Sequence, residues 1–325
     1  SRRVCPAQAG LGHPSPGAGL QTGPRSRRVC PAQAGLGHPP PGAGLQIPGE
    51  HILQARWILN ILVLTAHPDD AEFFAGGTLA RAADQGHAVH ILIATDGERG
   101  SLEYGAAELR EIRHCEAQEA GRILGVRSVS FLGYSDGFLR DVPLTTLRER
   151  FIRAIRQHRA DVVFTFDPLD VTDHPDHQCV AIAATDAVSA AGLPLYHPEH
   201  LAEGLPVQVV LTVYHFARTP RQANKAVDVS AYLERRIAAL QAHASQMRFT
   251  VAEVRRLAEL AGAPADLLAL LDPARAADAI AMAIGMRAAA HGAPYDLEAA
   301  ELFRQRESPL EPLFGLTDWR PVELL

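Results

Sequence analysis

The chain has 325 residues, 47% of them hydrophobic and 21% charged, with a formal net charge of −6. That length suits one large domain or two small ones and can bury a substantial core. No apolar run approaches the roughly 18 residues of a membrane span. No apolar stretch backs the N-terminal arginines as a secretory signal would require. The acidic balance argues against general nucleic-acid binding. Thirty arginines stand beside a single lysine, Lys225, and no glycine-rich phosphate motif precedes it. A P-loop or a Schiff-base lysine therefore has little support.

Residues 1–25 and 26–50 form a tandem repeat, differing only at 15/40 and at the last four positions. Ten Gly and nine Pro fall in this stretch, and its apolar content is too low to offset the entropy of ordering it. It reads as a disordered segment separate from a body spanning 51–325. Its five Arg and one Glu make it +4 and leave the body at −10. Two copies are too few for a solenoid, so a duplicated appendage and a short basic binding arm remain the two readings.

The body alternates strand and helix. Residues 57–67, 88–97, 128–134, 161–167 and 207–216 read as five strands, with a short one at 226–230. Helical patterns fill 71–86, 106–124 and 145–158, and another begins near His177. Strands apolar on both faces, alternating with helices, predict a mostly parallel, doubly wound, Rossmann-like α/β sheet of order 3-2-1-4-5. From about 231 to 312 the chain reads as helical, with helices over 232–247, 250–262, 273–292 and 295–306. Cys115 and Cys179 lie in helical patterns without CxxC spacing, which fits a reducing compartment and a cytoplasmic protein.

Two clusters carry the chemistry. His67-Pro68-Asp69-Asp70-Ala71-Glu72 closes the first strand, and Asp173-His174-Pro175-Asp176-His177 follows the fourth. Each alone fits a helix N-cap with acidic residues in the first turn. In the predicted sheet, however, strands one and four are neighbours at the switch point, where ligands bind beyond the strand ends. Two histidines and a carboxylate converging there suit a zinc site with open positions, or the two-histidine, one-carboxylate set that holds Fe(II). Glu98 either touches substrate or is an exposed turn residue, and Ser101 lacks the companions of a nucleophile.

AHPDDAEF (66–73), TDGERGS (95–101) and HPDH (174–177), with LREIRHCEAQEAGRILGV, FLGYSDG and the late ALQAHASQ, resemble the LmbE-like, or PIG-L, family of zinc-dependent deacetylases over about 57–247. The resemblance implies that His67, Asp70 and His177 hold the metal and that Asp69 is the general base. It implies that His174 polarises the carbonyl and steadies the oxyanion, and that Asp176 orients a ligand. Arg113 and Asp136 would contact the sugar or its substituent from the pocket rim, Arg113 through a planar fork suited to a hydroxyl pair, carboxylate or phosphate. His243 either borders the pocket or lies on a helix surface. Thr172 departs from members that place a tyrosine there.

The expected function is removal of an acetyl group from an N-acetylated amino sugar or its conjugate, with Zn2+ as cofactor and Fe2+ as the alternative metal. The rivals are an amidase acting on a larger thiol or acyl conjugate and a carbohydrate-binding protein without catalysis. The expected partner is a small amino-sugar conjugate, with no nucleic acid and no membrane span; homo-oligomer formation stays open.

Overall fold

A computed structural model describes residues 58–169, 174–217 and 219–307. The tandem repeat, Thr172, Asp173 and the stretch 308–312 lie outside the described residues. Strands β1 (Asn60–Thr65), β2 (Ala88–Thr95), β3 (Ser128–Tyr134), β4 (Val162–Phe166) and β5 (Thr212–Phe216) run parallel in the order 3-2-1-4-5. This is the predicted order. β1 buries every residue but Asn60, and β4 buries all five, the mark of strands covered on both faces.

Helices α1 (Asp70–Asp84) and α2 (Ala106–Leu124) pack against each other. α3 (Leu144–His158) packs on α4 (Pro175–Ala191). Right-handed crossovers place these pairs on opposite faces of the sheet. A five-residue helix, α5 (Pro198–Ala202), precedes β5, which starts at Thr212 rather than 207.

The C-terminal part corrects the helical reading of 231–312. β6 (Lys225–Asp228) is followed by α6 (Leu233–Ala242), α7 (Ala244–Leu260), α8 (Ala265–Leu270) and α9 (Ala276–Gly292). The segment predicted as a helix over 295–306 instead contains β7 (Ala300–Glu307), antiparallel between β5 and β6. Ala, Glu, Leu, Arg and Gln favour a helix locally, but the open edge of β5 supplies a backbone partner that local propensity cannot anticipate. Phe303 is fully buried there, edge-on to Phe164 at 5.4 Å. Glu301 is 2% exposed. It accepts from the Gly77 and Thr78 N–H groups of α1 at 2.9 and 2.8 Å and pairs with Arg236 at 3.1 Å. A Cβ on Gly77 would lie 2.7 Å from Val229 Cβ, so the close approach of these elements needs glycine.

The helix expected over 232–247 is broken at His243, whose ψ of 52° separates α6 from α7. α6 lies on α1 and α2, and α7 packs on α9. Ile237, Leu240, Met247, Val251, Ile280 and Ile284 form a second apolar cluster there. The break turns the start of α7 toward the loop after β2.

Candidate active site

Because β3, β2, β1 and β4 are parallel, their C-terminal ends open on one edge. Four loops meet there. His67–Asp70 follows β1, Gly97–Arg99 follows β2, Asp136 and Gly137 follow β3, and His174–His177 follow β4. They line a cavity of about 440 Å³, which Gln246 and Phe249 of α7 also border.

His67 faces two ways. Its Nδ1 lies 3.2 Å from His177 Nε2 and 3.5 Å from Asp70 Oδ2, while His177 Nε2 is 3.2 Å from Asp70 Oδ1. Ligand atoms sharing a tetrahedral zinc lie about 3.3 Å apart, so this donor set fits a divalent metal. The opposite nitrogen, Nε2, lies 3.1 Å from Asp136 Oδ1 and 3.3 Å from Asp176 Oδ2. A metal-binding imidazole commonly gives its second N–H to a carboxylate, an arrangement that would leave Nδ1 for a metal. Around His67 two groupings bring possible ligand atoms within 4.8 Å, His67 with His174 and His177, and His67 with Asp136 and Asp176. Asp176, however, is already occupied, accepting from the Gly137 and Leu139 N–H groups at 2.7 and 3.1 Å. Its Oδ2 also contacts His67 Nε2, which fixes that ring.

Asp70 Oδ2 accepts from the Ala66 and His67 N–H groups at 3.2 and 2.7 Å, leaving Oδ1 toward His177. Burial opposes ionisation of Asp70, but the His177 and His67 rings outweigh it and hold its carboxyl well below the usual range. Burial also works against the His67 imidazolium. Asp136, Asp176 and Asp70 reverse that and raise its pKa well above the ordinary value. Phe166 stacks on the His177 ring at 4.1 Å.

Asp69 stands at the N-cap of α1, yet its side chain makes no capping bond. The capping explanation of the motif therefore does not account for its carboxylate. Its backbone sits at φ 100°, ψ −24°, a conformation that costs a non-glycine residue about 1–3 kcal/mol and tends to occur at functional sites. The turn sends adjacent carboxylates in different directions: Asp70 to the histidines, Asp69 to Arg113 Nη2 at 3.3 Å. Burial pushes the Asp69 carboxyl up to about 6, against the pull of Arg113; Asp70 adds to the rise, and His243 and His67 oppose it.

Arg113 borders the cavity but is buried rather than at its rim. Its guanidinium donates to Gly97 O at 2.9 Å, Pro68 O at 2.5 Å and Asp69 Oδ1. A Cβ on Gly97, at φ +65°, would fall 2.6 Å from Arg113 Nη1, so glycine is required there on both counts. Glu116 does not pair with Arg113; it accepts from the Ser245 N–H and hydroxyl. Arg113→Ala should therefore cost about 1–3 kcal/mol of stability, because it leaves the half-buried Asp69 carboxylate and the Gly97 and Pro68 carbonyls without their donor. It should also move the acid limb of the pH–rate profile upward, since the cation that restrains Asp69 is gone. Thermal melting and a pH–kcat profile check this; a change confined to KM would restore the rim reading.

His174 caps α4, its Nδ1 accepting from the Asp176 N–H at 3.3 Å, which leaves the ring proton on Nε2. Burial and the neighbouring His67 and His177 rings lower its pKa, favouring the neutral form. Asp136 is 8% exposed and lines the cavity. Its Oδ2 accepts from the Arg99 N–H, and its own N–H donates to Glu98. Glu98 is buried, not an exposed turn residue, and it also accepts from the Ser135 hydroxyl at 2.6 Å. His243 is fully buried, 3.5 Å from Glu72 and behind Asp69, not on a helix surface. Arg99, Gln246 and Phe249 escaped the sequence reading, since nothing in α7's pattern shows that it closes on the loop after β2.

A family model for PIG-L, described as GlcNAc-PI de-N-acetylase, matches residues 62–188. A diacetylchitobiose deacetylase of Thermococcus kodakarensis is 32% identical over 194 residues, covering 58% of this chain and 70% of that protein. The chain belongs to the PIG-L family. A 1D-myo-inositol 2-acetamido-2-deoxy-alpha-D-glucopyranoside deacetylase of Mycobacteroides abscessus is 30% identical over 234 residues, covering 58% of this chain and 81% of its own. Among solved structures of the PIG-L fold, the N,N'-diacetylchitobiose deacetylase of Pyrococcus horikoshii aligns with a TM-score of 0.63 at 25% identity. That alignment covers 79% of this chain and 87% of its own. No described helix is long and apolar enough to cross a membrane.

Proposed function

We propose that this chain is a metal-dependent hydrolase that removes the acetyl group from an N-acetylated amino sugar or its conjugate. The observation that carries the reading is the division of labour between adjacent aspartates. Asp70 joins two imidazole nitrogens, while Asp69 is turned away from them into the cavity wall beside Arg113.

His67, Asp70 and His177 would hold the metal, and we assign zinc from the mixed imidazole–carboxylate set, with Fe(II) as the alternative. Such a metal supplies Lewis acidity that acidifies water and polarises a carbonyl. Asp69 takes the proton of the attacking water at its carboxylate. Arg113 keeps that carboxylate aimed and counters the burial that would protonate it. His174, with its proton on Nε2, donates to the oxygen of the acetyl carbonyl as negative charge develops there. The protonated Asp69 then returns its proton to the leaving amine, and acetate and the free amino sugar depart. Asp136 accepts from a sugar hydroxyl or fixes His67, the two roles its position at the cavity wall allows.

Acetate release from a panel of N-acetylglucosamine conjugates, with metal content measured in parallel, tests the reading. Turnover of at least one conjugate, lost on chelation and regained with zinc, is the expected result. Binding of the panel without acetate release would favour a non-catalytic carbohydrate binder. Release of only larger acyl groups would favour an amidase.

We further propose that residues 1–49 take no part in this activity, because their Pro/Gly-rich repeat has too little apolar content to order it and the described residues that line the site lie between 67 and 249. A chain beginning at Glu50 should keep its turnover and melting temperature; a severalfold loss in either would overturn this.

A further inference from the structure

We propose that Arg99 selects substrates carrying an anionic group, a carboxylate or phosphate, beyond the acetamido sugar. The inference rests on the deacetylase reading above. Two guanidiniums line the cavity. That of Arg113 is buried and committed to Gly97 O, Pro68 O and Asp69. It cannot offer its fork to a ligand without releasing Asp69. Arg99 is in the opposite situation. Its side chain is 56% exposed, and its nearest carboxylate, Glu98, stands 3.9 Å away. Glu98 is itself engaged with the Ser135 hydroxyl and the Asp136 N–H.

The Arg99 side chain is also held in place. Its guanidinium carbon lies 4.5 Å from the centroid of the Phe138 ring. Its backbone N–H donates to Asp136 Oδ2 at 3.3 Å, which ties the residue to the site wall. Stacking on an aromatic face leaves the edge of a guanidinium, with its N–H donors, pointing outward. Among the described residues, the carboxylates that line the cavity are taken: Asp69 by Arg113, Asp70 by His177, Asp136 by His67. The site thus presents a pre-organised cation whose full counter-charge is not provided among the described residues. An oxyanion that accepts two parallel N–H bonds, a carboxylate or a phosphate, is the partner such a group recognises best.

The test uses the metal-loaded full chain and four substrates. These are the neutral methyl glycoside of N-acetylglucosamine, its carboxymethyl glycoside, N-acetylglucosamine 1-phosphate and N-acetylglucosamine 6-phosphate. At least one anionic substrate should exceed the neutral one about tenfold in kcat/KM, as expected of a charge-assisted contact. The arm that wins identifies the anion and the side on which it sits. Raising salt from 0.05 to 0.5 M should shrink the preference, since the Arg99 side is exposed and screened. Arg99→Ala should bring the ratio of anionic to neutral kcat/KM to about one, Arg99→Glu should invert it, and Arg99→Lys should keep part of it. An equal ratio in wild type and Arg99→Ala would overturn the proposal and leave Arg99 as a prop for Phe138. Should no substrate release acetate, the deacetylase reading fails separately. The same comparison is then made by calorimetric binding of glucosamine 6-phosphate, glucosamine 1-phosphate, and the methyl and carboxymethyl glycosides of glucosamine. A Kd advantage for an anionic amine that Arg99→Ala removes upholds the selection, and equal affinities overturn it.

Discussion

Replacing Asp69 by Asn is expected to lower kcat by about 10²–10⁴-fold, the usual contribution of a positioned general base, while leaving metal content and KM nearly unchanged. Asn is nearly isosteric and is among the residues that best tolerate a positive φ, so the strained turn at φ 100° should survive. The amide can still accept from Arg113, but it cannot take a proton from water. In the parent protein the rate should fall as pH drops through the Asp69 pKa, because the protonated carboxyl is no longer a base. Burial puts that pKa at about 6, and the charge of a bound metal moves it downward, so the acid limb should lie at or below pH 6. Asp69→Asn should abolish this limb. A metal-free Asp69→Asn protein, or one with near-normal turnover, would mean that the two aspartates exchange roles.

Loss of the metal ligands should have the opposite signature. His67→Ala, His177→Ala and Asp70→Ala should each lose bound metal along with activity. Several kcal/mol of transition-state stabilisation correspond to about 10³-fold or more in rate. Asp70→Ala carries a second cost: it strips the Ala66 and His67 N–H groups of their acceptor, at about 1–3 kcal/mol for each buried group left unpaired. Asp70→Asn spares those bonds and separates loss of metal from loss of fold. Metal content and melting temperature on each purified variant decide the matter. A metal-replete, active Asp70→Ala protein would show that the site is built differently.

The motif at the end of β1 shows why local sequence is ambiguous. Asp69-Asp70 followed by an apolar helix reads equally as a cap or as chemistry. The second cluster at the neighbouring strand end favours chemistry, and the observed geometry agrees, since Asp69 occupies the cap position without capping. Arg113 is a similar case. From sequence its fork is free for substrate. In the structure the positive-φ turn at Gly97 and the carbonyl of Pro68 close around it, and the guanidinium left exposed at the cavity is that of Arg99. A surface position is one reading of both Glu98 and His243, because a charged or titratable side chain is usually exposed; the other reading is contact with substrate for Glu98 and the pocket border for His243. Each is buried because a partner from a distant segment reaches it: Ser135 for Glu98, Glu72 for His243.

The sequence by itself determined the parallel five-stranded core and its order. Buried strands must be apolar throughout, crossovers are right-handed, and both constraints act within short stretches of chain. It likewise placed His67, Asp69, Asp70, His174 and His177 at neighbouring strand ends, because topology alone brings β1 and β4 together. The tertiary structure decided what depends on partners far apart in the chain. The strand β7 forms from a helix-favouring segment because the edge of β5 offers unpaired backbone groups and Glu301 finds α1 and Arg236. The same holds for α7, whose Gln246 and Phe249 reach the cavity only because the break at His243 turns the chain back toward the loop after β2. Propensity and periodicity are sums over near neighbours, whereas burial and pairing between residues more than a hundred positions apart are settled only when the chain has packed.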